Sequence, residues 1–141
     1  MIQIILGDKG SGKTKRLIDC VNEALKTEHG EIIFIDDDKR YMYDLRHEIR
    51  FVDISEYPTV YKSSADQVLA FISGMLAINY DLSLISMDAF AKIVKTPLSD
   101  PSMETFFENL EKIGTQHNCN FLLSVSGMED TIPSYIRKYV I

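Results

Sequence analysis

Eight consecutive residues, Gly7-Asp8-Lys9-Gly10-Ser11-Gly12-Lys13-Thr14, meet the pattern G-x-x-x-x-G-K-[ST] in full. Glycines so spaced let the backbone curl until successive N–H groups point inward, and a helix starting just after adds the positive end of its dipole. The result is a cradle for phosphates. Lysine at the seventh place reaches β- and γ-phosphates, and the hydroxyl beside it is a ligand for Mg²⁺. The motif therefore implies a nucleoside triphosphate held by Gly7, Asp8, Lys9, Gly10, Ser11, Gly12, Lys13, Thr14 and Lys15, with Lys13 also acting in any phosphoryl chemistry. At average residue frequencies such an octamer arises by chance in roughly half a per cent of chains this long. A dinucleotide-binding loop is excluded, because Lys15 stands where its third glycine would be.

A second group is Asp88, which closes the apolar run Leu84-Ile85-Ser86-Met87. Apolar residues ending in Asp form the Walker B pattern, whose carboxylate holds Mg²⁺ through water; Thr14 and Asp88 are thus the expected metal pair. Ala89 follows, so no catalytic Glu comes directly after Asp88 and a base must come from elsewhere. Asp36, Asp37 and Asp38 close another apolar run and read either as a solvated, capped turn or as part of the chemistry. Arg40, Tyr41 and Tyr43 lie where they could touch a base or a partner, or pack a surface helix. Arg137 reads as an arginine finger or as a solvated side chain. His29, His47 and His117 lack metal-ligand spacing, and no Ser-His-Asp arrangement is visible.

These residues need elements to position them. Ile2–Leu6 reads as a strand ending at the glycine loop. Leu17, Ile18, Val21, Ala24 and Leu25 recur at helical spacing and predict a helix from Thr14 to near His29-Gly30. Ile32–Ile35 is a second strand, Lys39–His47 a short helix, and Arg50–Ile54 a third strand. Ser63 and Asp66 have capping-box-like spacing before a helix with Val68, Leu69, Ile72, Met75 and Leu76 on its apolar face. Leu82–Met87 is the fourth strand. Asp100-Pro101 starts a helix buried through Met103, Phe106, Phe107, Leu110 and Ile113. Phe121–Val125 is the fifth strand, and Pro133–Tyr139 a short terminal helix. Strands separated by helices require crossovers, so the expected fold is α/β: a mostly parallel sheet of about five strands with helices on both faces. Ligands of such sheets sit beyond the carboxyl ends of the strands, which is where the motifs fall.

Composition sets limits. The 141 residues are 45% hydrophobic and 26% charged, the mixture of one soluble globular domain spanning 1–141. No apolar stretch approaches the length of a membrane span, and the start of the sequence lacks the basic region of a signal peptide. Cys20 and Cys119 are too few for a disulfide framework, so reduced thiols and a cytoplasmic setting are expected. A net charge of −6, with 21 acidic against 15 basic residues, disfavours nucleic acid as a partner.

Three segments carry a resemblance. The phosphate loop, Phe34-Ile35-Asp36-Asp37-Asp38 and Leu84-Ile85-Ser86-Met87-Asp88 together resemble the core of the RecA-like P-loop ATPases. The chain is also similar to short bacterial ATP-binding proteins sometimes named after the twitching-motility ATPases. The resemblance implies a three-layer P-loop NTPase fold with RecA-like strand order, and ATP with Mg²⁺ as ligands. RecA recombinases end the strand after the P-loop helix in Phe-Ile-Asp-x-Glu, whose Glu activates the attacking water. That alignment puts Asp38 at the catalytic position, about one methylene shorter. Ser124 or Ser126 falls at the γ-phosphate sensor, where the family has an amide. The DNA-gripping loop after the sensor strand is here short and acidic, Gly127-Met128-Glu129-Asp130. The twitching-motility ATPases carry a domain ahead of the P-loop strand, whereas here that strand opens the sequence.

Three functions fit: a minimal ATPase acting as a switch or motor on a protein partner, with oligomeric state open; a small-molecule kinase with Asp37 or Asp38 as base; or a non-hydrolysing nucleotide-binding module. Kinases of this class clamp phosphates with an Arg-rich lid, and no Arg lies between Ala89 and Ile136. Strand order separates the first two. A Phe121 strand between the P-loop and Asp88 strands marks the RecA-like order, and direct contact of those two marks the kinase and GTPase lineages.

Overall fold

A computed structural model describes all residues from Met1 to Ile141. Its strands are β1 (Ile2–Gly7), β2 (Glu31–Asp36), β3 (Arg50–Asp53), β4 (Leu82–Met87) and β5 (Asn120–Ser126). Its helices are α1 (Lys13–Ala24), α2 (Ala65–Ile78), α3 (Phe90–Ile93), α4 (Pro101–His117) and α5 (Ser134–Arg137). Every strand pair is parallel, in the order β1-β5-β4-β2-β3. β5 therefore lies between the P-loop strand and the Asp88 strand, the RecA-like order that the resemblance implies.

Alternation along the strands splits the core into two layers. Ile5, Ile32, Phe34, Leu84 and Leu122 point to one face and are covered by Leu17, Ile18 and Val21 of α1. Ile4, Ile33, Ile35, Ile85, Met87, Phe121 and Leu123 point to the other, under α2 (Val68, Ile72, Leu76) and α4 (Met103, Phe106, Phe107, Leu110). Strands sandwiched in this way are apolar on both sides, and β4 is buried at every position. The last residues run along the outer side of β1, where Ile4 pairs with Val140. No helix is long and apolar enough to cross a membrane.

Some local expectations shift. α1 stops at Ala24 and gives way to turns through Glu28, since beyond Leu25 the sequence offers no apolar residue to bury. The helix expected over Lys39–His47 shrinks to one 3₁₀ turn, Met42–Asp44. There Asp38 captures the Arg40 N–H, and the Asn22 amide takes the Arg46 N–H and the Asp44 carbonyl, so side chains occupy groups a helix would use. The capping box of α2 is Ser64 with Gln67, one residue later than expected, because the backbone of Ser63 is engaged by Val60 and Lys95. Between Asp88 and Asp100 the chain forms the single turn α3. By contrast α4 starts where Asp100-Pro101 predicts, with the Asp100 carboxylate accepting from the Ser102 N–H.

Candidate functional site

β1 delivers the glycine loop, and α1 opens directly behind it. Gly10 and Gly12 adopt φ of 81° and 86°, the left-handed region in which a side chain is strained, and Gly12 caps α1 in that conformation. At Gly7 a Cβ would collide with the Ser11 hydroxyl. The loop is exposed, and Lys13 Nζ reaches back only to the Asp8 carbonyl at 3.5 Å, so its charge is not paired with a carboxylate.

Sheet register brings the remaining groups to this loop. Gly7 lies opposite Ser126, and Met87 opposite Leu123, so Asp88 follows beside Ser124. On its other side Ile35 pairs with Met87, and the Asp88 N–H donates to the Ile35 carbonyl at 2.9 Å, which sets Asp36 next to Asp88. A cavity of about 550 Å³ opens over these strand ends, lined by Lys13, Thr14, Asp36, Asp38, Asp88 and Ser126 among others. Lys9, Lys15, Arg40 and Lys92 add positive charge to its walls.

Asp88 is 5% exposed and held at both oxygens: Thr14 Oγ1 donates to Oδ2 at 3.0 Å, and Ser124 Oγ donates to Oδ1. Ser124 in turn accepts from the Ala89 N–H at 3.0 Å. Ala89 sits at φ 54°, rare for a residue with a Cβ.

The three aspartates at the end of β2 are differently placed. Asp38 lines the cavity, but its carboxylate is engaged with Arg40, through the Arg40 N–H at 2.9 Å and Nη2 at 3.1 Å. Asp37 accepts a long bond from the Tyr61 hydroxyl at 3.4 Å. Asp36 is 2% exposed; Oδ1 accepts the Asp37 N–H at 2.7 Å, and Oδ2 has no partner. Burial, then the neighbouring Asp88 charge, pushes its carboxyl up to about 8.

Of the two sensor candidates, Ser126 lines the cavity and Ser124 lies buried beneath it. Tyr41 is shared between this cavity and a shallower depression beside α1 formed by Lys15, Ile18, Asp19 and Asp44. Tyr43 is 90% exposed. Arg137 donates to the Glu129 carbonyl and is not part of the cavity wall. Asp36 has its own sequence signal, distinct from Asp37 and Asp38: Ile32-Ile33-Phe34-Ile35-Asp36 repeats the apolar-run-then-Asp pattern that marks Asp88. Lys92, on the short α3, also lines the cavity, whereas Lys95 and Lys112 do not.

The donor set suits Mg²⁺. Thr14, Asp88 and Asp36 line the same cavity, Thr14 is hydrogen-bonded to Asp88, one Asp36 oxygen has no hydrogen-bond partner, and the lining contains no sulfur or imidazole that would favour a softer metal.

No protein-family model and no curated protein matches this chain. Among solved structures, the KaiC-like protein PH0186 from the hyperthermophilic archaeon Pyrococcus horikoshii OT3 is similar to it, with a TM-score of 0.64 at 15% identity. The match covers 98% of this chain and 68% of that one. At that identity the likeness is one of fold, and it agrees with the parallel RecA-like sheet described above.

Proposed function

We propose that this domain binds ATP with Mg²⁺ and hydrolyses it slowly, as a switch or motor acting on a protein partner. The observation that carries the reading is a single cavity joining a left-handed glycine loop at a helix N-terminus to Lys13, Thr14 and a clamped Asp88. Loop N–H groups and the unpaired Lys13 ammonium bind the phosphates. Thr14 and Asp88 would hold Mg²⁺, which when bound neutralises charge on the β- and γ-phosphates. Ser126 is set to meet the γ-phosphate, and Tyr41, shared with the depression beside α1, offers a face for the base.

Hydrolysis needs a group to orient water, and the alignment assigns this to Asp38. Its carboxylate holds Arg40, so the role requires Arg40 to move away, into the cavity that it also lines. The same ion pair, with Ala89 in place of a Glu after Asp88, favours a second reading: a module that binds ATP and does not turn it over. Calorimetry of ATP binding tests the first half of the proposal. Single-turnover hydrolysis decides between the readings; a rate indistinguishable from buffer would leave only the module.

The setting we propose is the cytoplasm, without nucleic acid or membrane as partner. Both cysteines are free thiols, and burial pushes Cys119 up to about 12, out of reach of ready oxidation. A net charge of −6, with basic residues scattered apart from Lys13-Thr14-Lys15-Arg16 and Arg137-Lys138, argues against a phosphate-backbone partner.

A further inference from the structure

The two buried carboxylates of the cavity are unequally explained. Asp88 has both oxygens engaged, one by Thr14 and one by Ser124. Asp36 is buried as deeply, yet only Oδ1 has a partner, the Asp37 N–H. That bond fixes the turn after β2, and an asparagine oxygen would accept it equally well without charge. Oδ2 contributes nothing to the turn. It is shielded from water and receives no hydrogen bond, while Asp36 as a residue lines the cavity and follows Ile35, which pairs with the Met87 that precedes Asp88. Burial without a partner costs stability in the metal-free fold.

We infer that Asp36 is a second carboxylate of the cation site, holding with Asp88 the divalent ion that accompanies the nucleotide. The inference rests on the nucleotide-binding reading above. Mg²⁺ sites usually combine one or two carboxylates with water and phosphate oxygens, and Asp36, Asp88 and Thr14 are a donor set of that type. The chain has no cluster of three or more carboxylate, imidazole or thiol groups suited to a metal, so the protein does not cage a cation alone. The phosphates must complete the shell. A triphosphate arriving without a cation would instead meet the Asp88 carboxylate and leave Asp36 Oδ2 without a partner. Asp36 is thus the residue that makes affinity depend on the cation, beyond what Asp88 imposes.

The test measures binding of a non-hydrolysable ATP analogue by calorimetry, in MgCl₂ and in EDTA, together with thermal unfolding in EDTA. Wild type is compared with Asp36→Asn and Asp36→Ser. The ratio of affinity with Mg²⁺ to affinity without it should fall at least tenfold in both variants, through weaker binding in MgCl₂ and equal or tighter binding in EDTA. The metal-free variants should melt no lower than wild type. An unchanged ratio, or equal losses in both buffers with a lowered melting temperature, would make Asp36 a structural residue and overturn the inference. Wild type that binds the analogue in neither buffer would remove the nucleotide reading, and the inference with it.

Discussion

Ser124 bridges Asp88 and Ala89: its hydroxyl donates to Asp88 Oδ1 and accepts from the Ala89 N–H at 3.0 Å. One fully buried side chain on β5 therefore fixes the carboxylate at the end of β4 and the left-handed residue after it. Ser124→Ala leaves a buried acceptor and a buried donor unmatched, which costs about 1–3 kcal/mol of stability. Chemical denaturation should show that loss. Nucleotide affinity, measured under native conditions, should fall by less than for Asp88→Asn, because the Thr14–Asp88 contact survives.

The paired variants Asp38→Asn and Asp37→Asn address hydrolysis. A carboxylate that orients water and takes its proton contributes typically ~10²–10⁴-fold in rate. Asp38→Asn keeps size and polarity, so ATP affinity should persist while single-turnover hydrolysis drops. Asp37→Asn should leave the rate close to wild type. A loss of turnover in Asp37→Asn alone would move the assignment by one residue, and no loss in either would favour the binding module.

In EDTA, stability should depend on pH through Asp36. Its folded-state carboxyl, pushed from 3.8 up to about 8 by burial, by Asp88 and in smaller part by Asp37, keeps a proton that the unfolded chain releases. The folded state therefore binds more protons between those values. This contribution is fully present below 3.8 and is lost as pH rises through about 8. Thermal unfolding from pH 5 to 9 should show stability declining with pH, and Asp36→Asn should flatten the decline. An equal slope in both proteins would contradict it.

How much was legible in the sequence follows from where the information lies. Strands buried on both faces announce themselves as continuous apolar runs, which is why Leu82–Met87 coincides with β4. Asp100-Pro101 marks the start of α4 through chemistry confined to adjacent residues. The glycine loop is legible for the same reason, since its geometry depends on its own residue types. The segment after β2 is another matter. Its conformation is set by Asn22, 22 residues from Asp44, and by the Asp38–Arg40 pair, so the short helix expected over Lys39–His47 does not form. Asp36 is harder to single out because three like residues stand in a row; the apolar run before it points to the first of them, and sheet register places that one beside Asp88.

The central claim is that the glycine loop binds nucleotide phosphates through Lys13. Lys13 is partly exposed and makes one long contact, to the Asp8 carbonyl, so Lys13→Ala should leave the fold and its unfolding transition intact. Calorimetric titration of wild type with ATP in MgCl₂ should give saturable binding, and Lys13→Ala should give no measurable heat of binding under the same conditions. Equal ATP affinity in the two proteins, or no binding by wild type, would contradict the account.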